Sequence, residues 1–156
     1  MTTTQASLAI DDVTARADAI VATAEDVLSH DADALAEELL RAAEAVLENW
    51  LTAHGKAPTG AAVEGFRLLA LHRQGARGDP SFNACRETCR EIVYHRNLIR
   101  LEAAGPERVR RVRLAAMVVR HLALFVGGKL ETAGLGEFCC SSRTLRQSDF
   151  SETRTV

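Results

Sequence analysis

DALAEELLRAAEAVLENWLTA, residues 33–53, is the stretch that decides the fold. Leu35, Leu39, Ala43, Val46 and Trp50 recur at intervals of three and four, and Leu40, Leu47 and Leu51 widen the same stripe. That spacing gathers the apolar side chains on one face of an α-helix. Glu37, Glu38, Glu44 and Glu48 fall mostly outside the stripe, as the solvent face of an amphipathic helix requires. Ala, Leu and Glu are strong helix formers in their own right.

The same period extends in both directions. Upstream, Val13, Ala17, Ile20, Ala24 and Val27 form a stripe on a helix expected from about Ala6 to Ser29. Downstream, His54-Gly55-Lys56-Ala57-Pro58 is a break. Thr59 can cap a third helix to about Gln74, with Val63, Phe66, Leu69 and Ala70 inward and Gly75 and Gly78 ending it. A fourth is expected from Pro80 to about Ala104, with Asp79 as N-cap and Pro80 at its first position. Gly105-Pro106 introduces a fifth, to about Thr132. Its middle, LAAMVVRHLALFV, is apolar almost all round, which suits a bundle centre or an oligomer interface. Gly127-Gly128 within it permits a close backbone approach or a bend. No convincing strand pair or hairpin signature competes with this pattern. The expectation is an all-α fold: an antiparallel helical bundle with a four-helix core plus one accessory helix. Residues 1–136 form its single domain, and 137–156 a flexible C-terminal tail.

Composition agrees. The chain has 156 residues, 47% hydrophobic and 26% charged, enough for one packed domain. Aromatic residues make up only 4%, which favours helix over strand. The net charge of −2 conceals an asymmetry. Residues 1–50 hold eleven acids and two bases, a balance of −9, and the remainder stands at +7. Acidic early helices packed against basic later ones would account for this, within a monomer or across a dimer. A basic anion-binding face is the sharper alternative. The polar, acidic N-terminus does not resemble a signal peptide. The apolar run Leu114–Val126 is too short to span a bilayer. A cytoplasmic protein with mainly reduced thiols is expected.

Several residues could carry chemistry. Cys85 and Cys89 lie one helical turn apart on an apolar stripe with Phe82, Ile92, Arg96 and Ile99. They read as two core cysteines or as a soft-metal or redox pair. Glu87, Glu91 and His95 occupy a different face, His95 about 120° around the helix from Cys89, so one ion does not readily reach both. A Cys/Cys site would need His72, His121 or another thiol. Glu-x-x-x-His occurs here once, whereas di-iron bundles need more carboxylate and imidazole ligands. His121 sits beside Arg120 inside the most apolar helix, where Glu44, Glu48 or Glu64 could partner the pair. Cys139-Cys140 adjoins the expected tail, with Arg143 near enough to lower a thiol pKa. Arg108, Arg110, Arg111 and Arg113 crowd the start of the fifth helix, where the helix dipole disfavours cations. Acids from other helices, a phosphate-bearing ligand or a protein partner would offset them.

No phosphate loop, nucleophile elbow or zincin motif is present. The pattern therefore points to a cytoplasmic binding protein, an adaptor, assembly factor or regulator, rather than to an enzyme. A homodimer is the expected assembly, with a protein partner and no membrane. Few aromatics and no recognised nucleic-acid motif argue against nucleic acid. The alternative is a bundle responsive to metal, haem or redox state. It would hold a transition metal or haem through Cys85, Cys89, His95 or His121, not necessarily in one site.

Overall fold

The first chain reversal comes at Ala22-Thr23-Ala24, earlier than the apolar spacing suggests. In the computed structural model, which describes residues 8–134, helix α1 (Ile10–Val21) ends there and α2 (Glu25–Ala53) begins. The expected boundary near residues 29–33 is therefore wrong. Leu28 and Ala32 are buried in phase with Leu35 and Leu39, so they belong to α2. Val27, which would have continued the α1 stripe, is 44% exposed. Glu25 and Asp26 fill the first turn of α2, where free N–H groups favour carboxylates. Thr23 closes α1, its hydroxyl donating to Ala19 O and its N–H to Ile20 O.

Three further helices follow: α3 (Arg67–Gly78), α4 (Arg86–Leu101) and α5 (Pro106–Thr132). The α3 start is eight residues later than Thr59. Val63 and Phe66 exchange backbone hydrogen bonds of 3.0 and 2.9 Å around Glu64-Gly65. Both central residues have positive φ, 53° and 85°, the signature of a type I′ turn that no helix accommodates. Gly75 does not end α3 but lies buried inside it. The expected fourth helix begins as a 3₁₀ segment, Pro80–Cys85, before α4 takes over. Asp79 caps it as expected, accepting from Ser81 N at 3.0 Å with Pro80 following. The bounds of α5 agree with the sequence reading.

Four helices, α1, α2, α4 and α5, surround one core, and α3 packs on the outside of α2 and against the 3₁₀ segment. Side-chain links fix their directions. Asn49 Nδ2 donates to Leu8 O at 2.8 Å and Arg16 binds Glu38, so α1 and α2 are antiparallel. Arg120 meets Asp18 at 2.8 Å and Arg113 reaches Thr23 O, so α5 is antiparallel to α1. Phe82 stacks on Trp50 while Arg96 and Arg100 bind Glu37, and Lys129 donates to Ser81 Oγ while Arg108 donates to Ile99 O, so α4 runs against α2 and α5. The result is an all-α bundle with α2 and α5 side by side and parallel. Residues Leu47, Leu51, Val112, Val119, Leu122 and Val126 are fully buried between its helices.

The apolar character of α5 follows from its position, since it packs on α1, α2 and α4 together. Only a narrow stripe carrying Met117, His121 and Leu124 faces outward. Gly127 sits where α1 crosses closely: a methyl group there would stand 3.3 Å from Ile10 Cγ2. At one end of the core, Trp50 stacks on Phe82 at a centroid distance of 4.7 Å, and Phe82 on His72 at 5.4 Å. No described helix is long and apolar enough to cross a membrane. The expected tail, 137–156, with Cys139, Cys140 and Arg143, lies outside the described residues.

Candidate anion-binding cleft

Where α3 meets the 3₁₀ segment and the first turns of α4, the surface opens into a cleft of about 450 Å³. Its lining is Val63, Leu69, His72, Arg73, Ala76, Arg77, Asn83, Arg86 and Arg90. Arg73 and Arg77 are one turn apart on α3, and Arg86 and Arg90 one turn apart on α4. Helical spacing therefore gives each pair a common face. The chain direction change at Asp79-Pro80 brings the two faces to one hollow. Among the described residues, no aspartate or glutamate lines it.

The electrostatics are unbalanced. Arg90 binds Glu64 at 3.0 Å. That contact holds the Glu64 carboxyl below its ordinary pKa, and Glu64 in turn raises Arg90. Arg73 and Arg86 act on Glu64 only through space. Among the described residues, the side chains of Arg73, Arg77 and Arg86 make no hydrogen bond or ion pair. Val63, Arg73 and Arg77 also border a neighbouring hollow of about 280 Å³, lined otherwise by Thr59, Ala61, Ala62, Ala70 and Gln74.

The floor is rigid. His72 is 5% exposed, its ring stacked on Phe82 and its Nε2–H donating to Phe82 O at 3.1 Å. The Cys85 thiol donates to the same oxygen at 3.2 Å. Gly75 lets Phe82 lie this close: a methyl group at Gly75 would stand 2.8 Å from Phe82 Cε2.

Cys85 and Cys89 are both buried and free. A hydrogen bond from Cys89 lowers the Cys85 pKa to about 6, opposed by burial and aided by His72. The same pairing, together with burial, pushes Cys89 well above its ordinary value. His95 is also buried, 3.9 Å from Glu91 across one turn, and burial lowers its pKa. Glu87 is exposed on α4. His121, expected inside the bundle, is exposed on the outer stripe of α5, and its neighbour Arg120 pairs with Asp18 rather than Glu44, Glu48 or Glu64. Glu44, read as largely outside the α2 stripe, is buried and held by Arg41 and Arg67. Cys85, Cys89, His95 and His121 do not converge. Among the described residues, no three His, Cys, Asp or Glu side chains gather to hold a metal ion.

The arginines at the start of α5 have internal partners. Arg108 binds Asp33 and Ile99 O, Arg110 binds Glu107, Arg111 lies 3.5 Å from Glu102, and Arg113 donates to Thr23 O. The α3–α4 arginines were missed in the sequence because the third helix was drawn to Gln74, leaving Arg77 off it. Two Arg-x-x-x-Arg spacings flanking Asp79-Pro80 were the available signal. Comparison with protein-family models, curated proteins and solved structures finds no match to this chain.

Proposed function

We propose that this protein works by binding, as a small cytoplasmic regulator or adaptor whose α3–α4 cleft captures an anionic ligand. One observation carries the reading: the guanidinium groups of Arg73, Arg77 and Arg86 border a single hollow without a hydrogen bond or ion pair among the described residues. Guanidinium groups offer planar pairs of donors suited to phosphate and carboxylate oxygens. The hollow is of the size small-molecule sites occupy, about 300–1,000 Å³. Thermal unfolding in phosphate and in chloride at equal ionic strength tests it. Phosphate should raise the melting temperature of the native chain and leave that of the Arg73→Ala/Arg86→Ala variant unmoved. The Arg110→Ala variant should respond like the native chain. If phosphate acts equally on all three, the cleft is not the site.

A second reading concerns assembly. Met117 and Leu124 are 54% and 50% exposed on one stripe of α5, with His121 between them. A homodimer would cover that stripe. Sedimentation equilibrium of the native chain and of Met117→Lys/Leu124→Lys tests it, and a native chain monomeric at every concentration would end it. The alternative of a metal-, haem- or redox-responsive bundle draws on His72 and Cys85, which share Phe82 O as acceptor, with Cys89 one turn further on. Both thiols are buried, which favours the packing role.

A further inference from the structure

We infer that the ligand of the α3–α4 cleft is a small phosphomonoester without an aromatic base, its phosphoryl group held by Arg73 and Arg77 on one side and Arg86 and Arg90 on the other. This rests on the binding role proposed above and names the chemistry of its ligand. Charge is the first argument. Four guanidiniums border the cleft, and among the described residues the single carboxylate bound to them, Glu64, engages Arg90. Three positive charges remain, more than one carboxylate would balance and well matched to a dianionic phosphoryl group.

Donor geometry is the second argument. The guanidiniums arrive from two helices, each as an i, i+4 pair. A tetrahedral group with three terminal oxygens can accept from both pairs at once. A carboxylate offers only two oxygens with their lone pairs in one plane, fewer acceptor directions for guanidiniums arriving from two helices. Arg side chains are the residues over-represented where such forked recognition is needed.

The rest of the lining describes the remainder of the ligand. Val63, Leu69 and Ala76 give an apolar wall, and Asn83 an amide that can hydrogen-bond a hydroxyl. Past Arg73 and Arg77 lies the second hollow, lined by small side chains and the Gln74 amide. Among the described residues, no Phe, Tyr or Trp borders either space. Base recognition commonly uses an open aromatic stacking surface, and the aromatic ring in this lining, His72, is buried and already stacked on Phe82. A sugar or polyol phosphate fits these surroundings better than a nucleotide.

Isothermal titration of the full chain at fixed ionic strength tests the inference, with ribose 5-phosphate, glycerol 3-phosphate, succinate and AMP as probes. The two non-aromatic phosphates should bind at least about tenfold more tightly than succinate. Arg86→Ala should weaken them at least about tenfold, with an unchanged circular dichroism spectrum. Glu64→Gln, which releases Arg90, should tighten them severalfold. Succinate binding as tightly as the phosphates, and lost in Arg86→Ala, would overturn the phosphomonoester while the anion cleft stands. AMP binding about tenfold more tightly than ribose 5-phosphate would overturn the exclusion of a base. No Arg86-dependent binding of any probe would overturn both the ligand and the proposed binding role.

Discussion

Gly75 illustrates how much one missing methyl group determines. Its Cα face receives the Phe82 ring, which in turn stacks on Trp50 and His72 and so sets the cleft floor. Gly75→Ala gains helix propensity, about 1 kcal/mol, but forces a contact that overpacking measurements put at about 1–3 kcal/mol. We expect a net loss of about 1 kcal/mol in urea unfolding, and a gain would mean that Phe82 moves aside freely. His95 supports a pH prediction. Burial lowers its pKa below the ordinary 6.5, against the pull of Glu91. The unfolded chain therefore takes up a proton at pH values where the folded chain does not. This contribution to stability is present above about 6.5 and declines as the pH falls below it, levelling off once the folded imidazole also protonates. His95→Gln should flatten the stability–pH curve in that range, and an unchanged slope would show that another group sets it. The burial of Cys85 and Cys89 was legible from their stripe. Their mutual hydrogen bond with opposite pKa shifts was not, because it depends on Cys85 standing at the junction of a 3₁₀ segment and α4.

Among the elements, α5 is the one on which the bundle turns. Val119 is fully buried and Met117 is 54% exposed, although they lie two residues apart. Val119→Ala should cost about 2 kcal/mol through lost burial and a residual cavity, whereas Met117→Ala should stay within about 0.5 kcal/mol. Equal costs in chemical denaturation would contradict the placement of the helix faces. The limits of α5 were legible because Gly105, Pro106 and the loss of apolar spacing mark them. The α1–α2 boundary was not, because Ala22 and Ala24 carry too little side chain to declare which stripe they join. The start of α3 was hidden for another reason. Val63 and Phe66 have helical spacing, yet Glu64-Gly65 adopts a turn whose left-handed backbone is set by φ and not by apolar period.

For the molecule as a whole, the division between an acidic first third and a basic remainder has a structural counterpart. Asp18, Asp33, Glu37, Glu44 and Glu48 receive Arg120, Arg108, Arg96 with Arg100, and Arg67. Most of these contacts are partly exposed, each worth about 0.2–1 kcal/mol and open to screening. Salt should therefore lower stability modestly, and Glu37→Gln, which removes the shared partner of Arg96 and Arg100, should reduce that salt sensitivity. An unaltered salt response in the variant would mean that the pairs contribute nothing measurable. The charge imbalance was plain in the sequence, but its resolution was not: the unmatched cations gather at α3–α4, while the Arg108–Arg113 cluster is engaged internally. The cleft has one more consequence. All its lining lies between residues 63 and 90, so its walls are neighbours along the chain as well as in space. Ligand capture should then slow amide hydrogen exchange most in this one continuous stretch, leaving α1 to open at its own rate. Occupancy would be recorded as a local gain in protection, readable peptide by peptide.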